Sequence, residues 1–170
     1  DATRSPIGIK NGEMVGIRPD DLAAQVVKGL MERNNKVTSD QVEDLVMGCA
    51  FPEGPQGMLI GRSVVALAGL PQTVPAKVVN RFCGSAMDAL HQVSTAIESG
   101  DIEVGIAAGI EDMFSIPPGG FAPDFHPELA EQEYYIGMGE TAENLANDGN
   151  ISREAQEDFA INSHKKALAA

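Results

Sequence analysis

Basic residues are scarce in this chain, and their distribution is more telling than their number. Twelve Lys and Arg stand against 25 Asp and Glu over 170 residues, a formal net charge of −13. From Phe82 to Ser152 there is no Lys or Arg at all. Nucleic acid is therefore excluded as a partner, because binding it requires a basic footprint. A multiply phosphorylated ligand would find few cations in that stretch and would need helix N-termini or residues outside it. Long apolar runs are also missing: none approaches the roughly 20 residues of a membrane helix. No basic start followed by an apolar core marks a secretory signal, which points to the cytoplasm. The chain does begin at Asp1 rather than at a methionine, which leaves room for a removed leader. The cysteines are two, Cys49 and Cys83. They form no CxxC pair and no cluster with histidine, so neither a structural zinc site nor a redox dithiol is expected.

Hydrophobic residues make up 43% of the sequence, enough for one sizeable core. After a glycine-punctuated loop, Leu22, Val26, Val27 and Leu30 recur at helical spacing, with Asp20 or Asp21 as the expected cap. Ser39 is a second cap candidate, ahead of a strand over Asp44–Cys49. A helix follows over about residues 59–68 and stops at Gly69-Leu70-Pro71. Val74, Val78 and Val79 mark a strand ending near Asn80. A helix of small and apolar residues is expected over Cys83–Ser99, buried on most sides, and then a buried strand within residues 101–113. Alternation at this spacing predicts an α/β domain with helices packed on a sheet. Beyond Met113 the pattern dissolves into a Pro/Gly segment carrying Phe114, Phe121, Phe125, Tyr134 and Tyr135, and helices resume near "GETAENLAND" and after Ser152. The sequence stops inside that last helical pattern, so a fragment of a longer protein is expected.

The stretch "VVNRFCGSAMDAL" sets Cys83 where a strand turns into a helix. A helix N-terminus carries about half a positive charge, which favours thiolate over thiol. Its unpaired N–H groups can hold a developing oxyanion. Nucleophilic acyl transfer needs an activated sulfur beside such donors. Local chemistry alone leaves the alternative open that this thiol simply packs, as free cysteines commonly do. Cys49, at the end of an apolar run with no evident partner, is read as a packing residue.

The run "VVNRFCGSAMDALHQVSTAIESGDIEVGIAAGIEDM" resembles the nucleophile region of the thiolase family. The family pattern is roughly Asn-Arg-x-Cys-x-Ser-small, a helix, Gly-Asp, and a strand ending Gly-x-Glu-Ser-Met. "DATRSPIG", "RPDDLAAQVV", "GRSVVALAGLPQTVPAKVVN" and "MGETAENLANDGNISREAQEDFAINSHKKALAA" resemble other segments of the family in the same order, so the resemblance covers nearly the whole chain. Two positions depart from it. Asp112 stands where Ser is common, and Gly137 stands where some short-chain biosynthetic members carry histidine.

The resemblance implies a thiolase-like layered α/β fold, represented by its N-terminal half with a mixed sheet and packed helices. Residues 1–113 would be an incomplete α/β domain and 114–170 the start of a loop insertion. It implies acyl transfer between coenzyme A thioesters, with Cys83 as the nucleophile and Met138 facing the acyl group. CoA and acyl-CoA would be substrates, no cofactor would be permanently bound, and the protein would be a homodimer or homotetramer. Apolar helix and strand faces would be exposed where the absent half belongs. The family's activating histidine and second cysteine come from Gly-His-Pro and Cys-x-Gly-Gly-Gly motifs, and neither occurs here. His91 is no substitute, since eight helical residues at ~1.5 Å each place it ~12 Å from Cys83. His126 and His164 are read as surface or packing residues, Glu111 as a buried, hydrogen-bonded structural carboxylate, and Phe121 and Tyr135 as core or channel-lining. A condensing synthase of the same superfamily and a non-catalytic scaffold subunit are the alternative functions.

Overall fold

The structure is a computed structural model that describes residues 1–169. It contains two compact units, Asp1–Pro123 and a second that begins at Asp124. The break falls ten residues later in the chain than the change in sequence character at Met113, because the segment after Met113 folds back on the first unit. There Ile116 is fully buried, and the Phe121 N–H donates to Glu53 Oε2 at 2.9 Å.

The first unit opens with a loop and then helix α1 (Pro19–Arg33), which buries Ala23, Ala24 and Val27. Its cap position is Arg18, not Asp20 or Asp21, and no side chain caps it. Proline at the first helical position needs no N–H partner there. Asp20 lies one residue inside, where it takes a two-pronged contact from Arg18 at 3.0 and 2.7 Å. Thr38 rather than Ser39 starts the next turn, its N–H donating to Gln41 Oε1 at 2.9 Å. Strand β1 (Asp44–Gly48) follows, then helix α2 (Ile60–Leu67), strand β2 (Ala76–Val79), helix α3 (Ser85–Ser99) and strand β3 (Gly105–Gly109).

The strands form one sheet in the order β2-β1-β3, all parallel, with Met47 opposite Val78 on one side and Ala108 on the other. A parallel sheet needs crossover helices, and α2 and α3 supply them. Side chains alternate across β1. Leu45 and Met47 join Val27, Ile60, Val64 and Ile106 in the larger core, beside α1 and α2. Val46 points the other way, against Ala89 and Val93 of α3. Burial on both faces is why β1 reads as an unbroken apolar run instead of an alternating one.

α3 differs from expectation. Only Ser85, Ala89 and Val93 are buried, while Met87 and Leu90 are 74% and 61% exposed. Its apolar composition calls for cover on a second side, and in this unit the sheet covers only one.

In the second unit, helices α4 (Pro127–Glu131), α5 (Met138–Asp148) and α6 (Arg153–Ala169) surround little buried surface, Ala146 being the one buried residue on them. Ser152 Oγ accepts the Ala155 N–H at 3.2 Å at the start of α6, and Glu140 accepts the Gly137 N–H at 3.2 Å at the start of α5. Phe125 stacks on Tyr135 with centroids 4.5 Å apart. Among the described residues no helix is long and apolar enough to cross a membrane.

Candidate active site

The C-terminal ends of all three strands meet at one edge of the sheet, the edge at which open parallel sheets place their ligands. Cys83 stands there, exposed, in the turn between β2 and α3. It is not part of the helix: Gly84 is the cap and Ser85 the first helical residue. The reason lies one residue earlier. Phe82 has φ of 45°, a left-handed conformation that a bulky side chain adopts only under constraint.

Three contacts impose it. The Phe82 N–H donates to Asn80 Oδ1 at 3.0 Å, and the Phe82 carbonyl accepts both the Ser85 Oγ–H at 2.6 Å and the Ser85 N–H at 2.9 Å. Ser85, itself buried, also accepts the Arg81 N–H on its hydroxyl at 2.8 Å. The Phe82 carbonyl and the Cys83 N–H belong to one planar trans peptide, so they point in opposite directions. Holding the carbonyl towards Ser85 turns the Cys83 N–H away from the helix. The backbone hydrogen bonds of the turn run from the Gly84 N–H to Arg81 and from the Ser85 N–H to Phe82. A thiol and an amide donor on the same residue can act together, the sulfur attacking a carbonyl carbon and the amide receiving the oxygen.

The helix reaches this position because β1 and β3 end in glycine. A Cβ on Gly48 would lie 2.5 Å from Ser85 C and Ala86 N, and one on Gly109 would lie 2.6 Å from Ala86 Cβ. The start of α3 thus rests directly on strand backbone.

Behind the turn lies a polar network centred on Glu111. Glu111 Oε2 accepts the Ala50 N–H at 2.6 Å, and Oε1 accepts the Phe51 N–H at 3.2 Å and Gln56 Nε2 at 2.6 Å. Gln56 is fully buried, and its own Oε1 accepts the Asp112 N–H at 2.9 Å. Glu111 is hydrogen-bonded as expected, but it is exposed rather than buried, because its carboxylate closes the network from the open edge of the sheet. Asp112 takes the N–H groups of Phe114 and Ser115, and with hydroxyl and amide donors around it its carboxyl titrates below the usual range in spite of partial burial.

The two thiols are opposites. Cys49 is buried, with its sulfur 3.9 Å from Glu111 Oε1. Burial first, and the neighbouring carboxylate second, push its pKa up to about 12. At pH 8 roughly one Cys49 thiol in ten thousand would be ionised. Brief treatment with iodoacetamide at that pH is expected to label Cys83 and spare Cys49, as peptide mapping would show; equal labelling would contradict this geometry. The shift also has a stability consequence. The folded state keeps the Cys49 proton above the ordinary 9.0, where the unfolded chain loses it. Stability therefore falls as pH rises from 9.0 towards 12, at up to about 1.4 kcal/mol per pH unit for this thiol.

His91 is exposed on α3, His164 is exposed on α6, and His126 stands just before α4 in the second unit with no side-chain bond to the helix. Phe121 is 58% exposed at the end of the first unit, and Tyr135 lies in the Phe125 stack of the second. Met138 is the first residue of α5, 75% exposed, in the second unit.

The sequence matches the family model described as "Thiolase, N-terminal domain" over residues 1–170. It is 41% identical, over 98% of its length, to a 3-ketoacyl-CoA thiolase of Bacillus subtilis, of which it covers 43%. It is 44% identical over its whole length to a 3-ketoacyl-CoA thiolase of Aliivibrio salmonicida, covering 44% of that protein. A beta-ketoadipyl-CoA thiolase of Pseudomonas putida is 38% identical, with 47% of it covered. The chain spans less than half the length of these relatives.

Proposed function

The chain belongs to the thiolase family, and from that premise we propose that the protein it forms part of is an acyl-CoA acyltransferase with Cys83 as its nucleophile. The observation that carries the proposal is the exposed Cys83 thiol on the same residue as an amide N–H turned out of the helix. Cys83 Sγ attacks the thioester or ketone carbonyl, and its N–H receives the oxyanion. Collapse of the tetrahedral intermediate leaves an acyl-cysteine and releases CoA, or acetyl-CoA in the cleavage direction. The acyl group then passes to the CoA thiolate (cleavage) or to the carbanion of acetyl-CoA (condensation). Losing one such donor costs about 3 kcal/mol of transition-state stabilisation.

In this reading residues 1–113 form the incomplete α/β domain and 114–170 begin the insertion, which brings Met138 to the acyl group. The activating histidine and the second cysteine are supplied from outside this sequence, as are most cations for the CoA phosphates. CoA thioesters are substrates, no cofactor stays bound, and the protein works in the cytoplasm as a homodimer or homotetramer.

Initial-rate kinetics on the whole protein test the two-step course. With a 3-ketoacyl-CoA and CoA varied together, parallel double-reciprocal lines are expected. Intersecting lines would favour direct transfer without an acyl-enzyme. Residues 1–170 alone are expected to show no thiolysis.

A further inference from the structure

We propose that Glu111 is a positioning residue for Cys83, acting through the Ala50–Phe51 segment and Asn80; this rests on Cys83 being the nucleophile. The connection is short and continuous. Glu111 holds the Ala50 N–H at 2.6 Å, and the carbonyl of the same Ala50 accepts Asn80 Nδ2 at 2.8 Å. The other end of that amide, Asn80 Oδ1, accepts the Phe82 N–H at 3.0 Å. Glu111 also holds the Phe51 N–H, and the Phe51 ring lies against the Phe82 ring with centroids 5.9 Å apart. Both branches end on Phe82, the left-handed residue whose carbonyl sets the direction of the Cys83 N–H.

Only a carboxylate suits this place. Three N–H donors converge on it, from Ala50, Phe51 and Gln56, with the Cys49 thiol as a longer fourth contact. The Gln56 amide cannot turn round to offer oxygen instead, since its Oε1 is engaged by the Asp112 N–H and its Nε2 also donates to the Phe51 carbonyl at 2.9 Å. A glutamine at position 111 would keep the size but aim an NH2 group at one of these donors. The segment 50–51 would then shift, and Asn80 would release Phe82 from its constrained conformation. The thiol would remain present and exposed, and the loss would lie in its alignment.

The test is a double-mutant cycle in the whole protein with Glu111→Gln and Asn80→Ala, read by thiolysis of a 3-ketoacyl-CoA. Each single variant is expected to lower kcat about 10- to 100-fold with KM changed less than about threefold. Because both act through one route, the double variant should fall no more than about threefold below the weaker single. Multiplying losses, an unchanged kcat in Glu111→Gln, or an effect confined to KM would overturn the proposal. If Glu111→Gln does not fold, Glu111→Asp, which keeps the charge but withdraws it by one methylene, serves in the same cycle. Cys83→Ala separates the two levels. Full activity in that variant overturns the nucleophile assignment and this proposal with it. An inactive Cys83→Ala alongside multiplying losses in the cycle overturns the role of Glu111 alone.

Discussion

Replacing Cys83 with alanine in the whole protein is expected to lower acyl transfer by about 10⁴-fold or more while leaving the melting temperature nearly unchanged. Both halves of this expectation come from the same feature. The side chain is exposed, so its removal opens no cavity and strands no hydrogen-bond partner. The constraints on the turn all act through other atoms: Asn80, the Phe82 backbone and Ser85. Alanine at this position keeps the N–H in place and deletes only the sulfur. The rate loss would then report the nucleophile by itself, with the amide donor intact. A variant that retained its rate would make the turn a structural relic and favour a scaffold role. Cys83→Ser is a useful companion, since it keeps the shape but offers an oxygen that is far harder to ionise.

Gly48→Ala should have the second-largest effect, and it should strike both stability and rate. The new Cβ would meet Ser85 C, Ala86 N and Ser85 O at 2.5 to 2.6 Å. These are backbone atoms of the first helical turn, with no side chain that could swing aside. α3 would have to retreat from the sheet, at a cost at or above the upper end of the ~1–3 kcal/mol typical of overpacking. It would carry the Cys83 turn with it, and a misplacement of about 1 Å is enough for a ~100-fold loss in rate. Gly29→Ala is the matching control. Gly29 lies within α1 and nothing stands within 4 Å of the Cβ position, so alanine there should be neutral or stabilising by up to about 1 kcal/mol. Thermal melts of the two variants side by side check the contrast. Equal behaviour would mean that α3 does not rest on β1 as described.

The elements that local pattern defines were legible in the sequence. Leu22, Val26, Val27 and Leu30 repeat at the period of a helix, and α1 runs through them. The apolar run from Asp44 announced β1, and Gly69 and Gly100, both with positive φ, end α2 and α3 where expected. What could not be read were contacts between distant segments. Cys83 stood in a helical pattern, and the bonds of Phe82 with Asn80 and Ser85 hold it out of the helix. Asn80 was visible within the quoted motif, but its bond to Ala50 spans 30 residues and leaves no local trace. Gln56 gave no signal, because a glutamine in a Gly/Pro loop looks like solvent-facing polarity, yet it is fully buried. The cap at Arg18 was missed for the opposite reason. Asp20 and Asp21 are strong capping residues by type, and Pro19 moved the helix start one residue upstream of them. The expectation that α3 is buried on most sides was wrong for this unit, because the sheet covers one side of the helix and leaves Met87 and Leu90 exposed.

The most direct measurement is to incubate the whole protein with acetyl-CoA, quench it in acid, and map the peptides by mass spectrometry. One acetyl group is predicted on the peptide containing Cys83, removed when CoA is added before the quench and missing from Cys83→Ala. An acetyl group on any other residue that CoA likewise discharges, or turnover with no acylated peptide at all, would contradict the account.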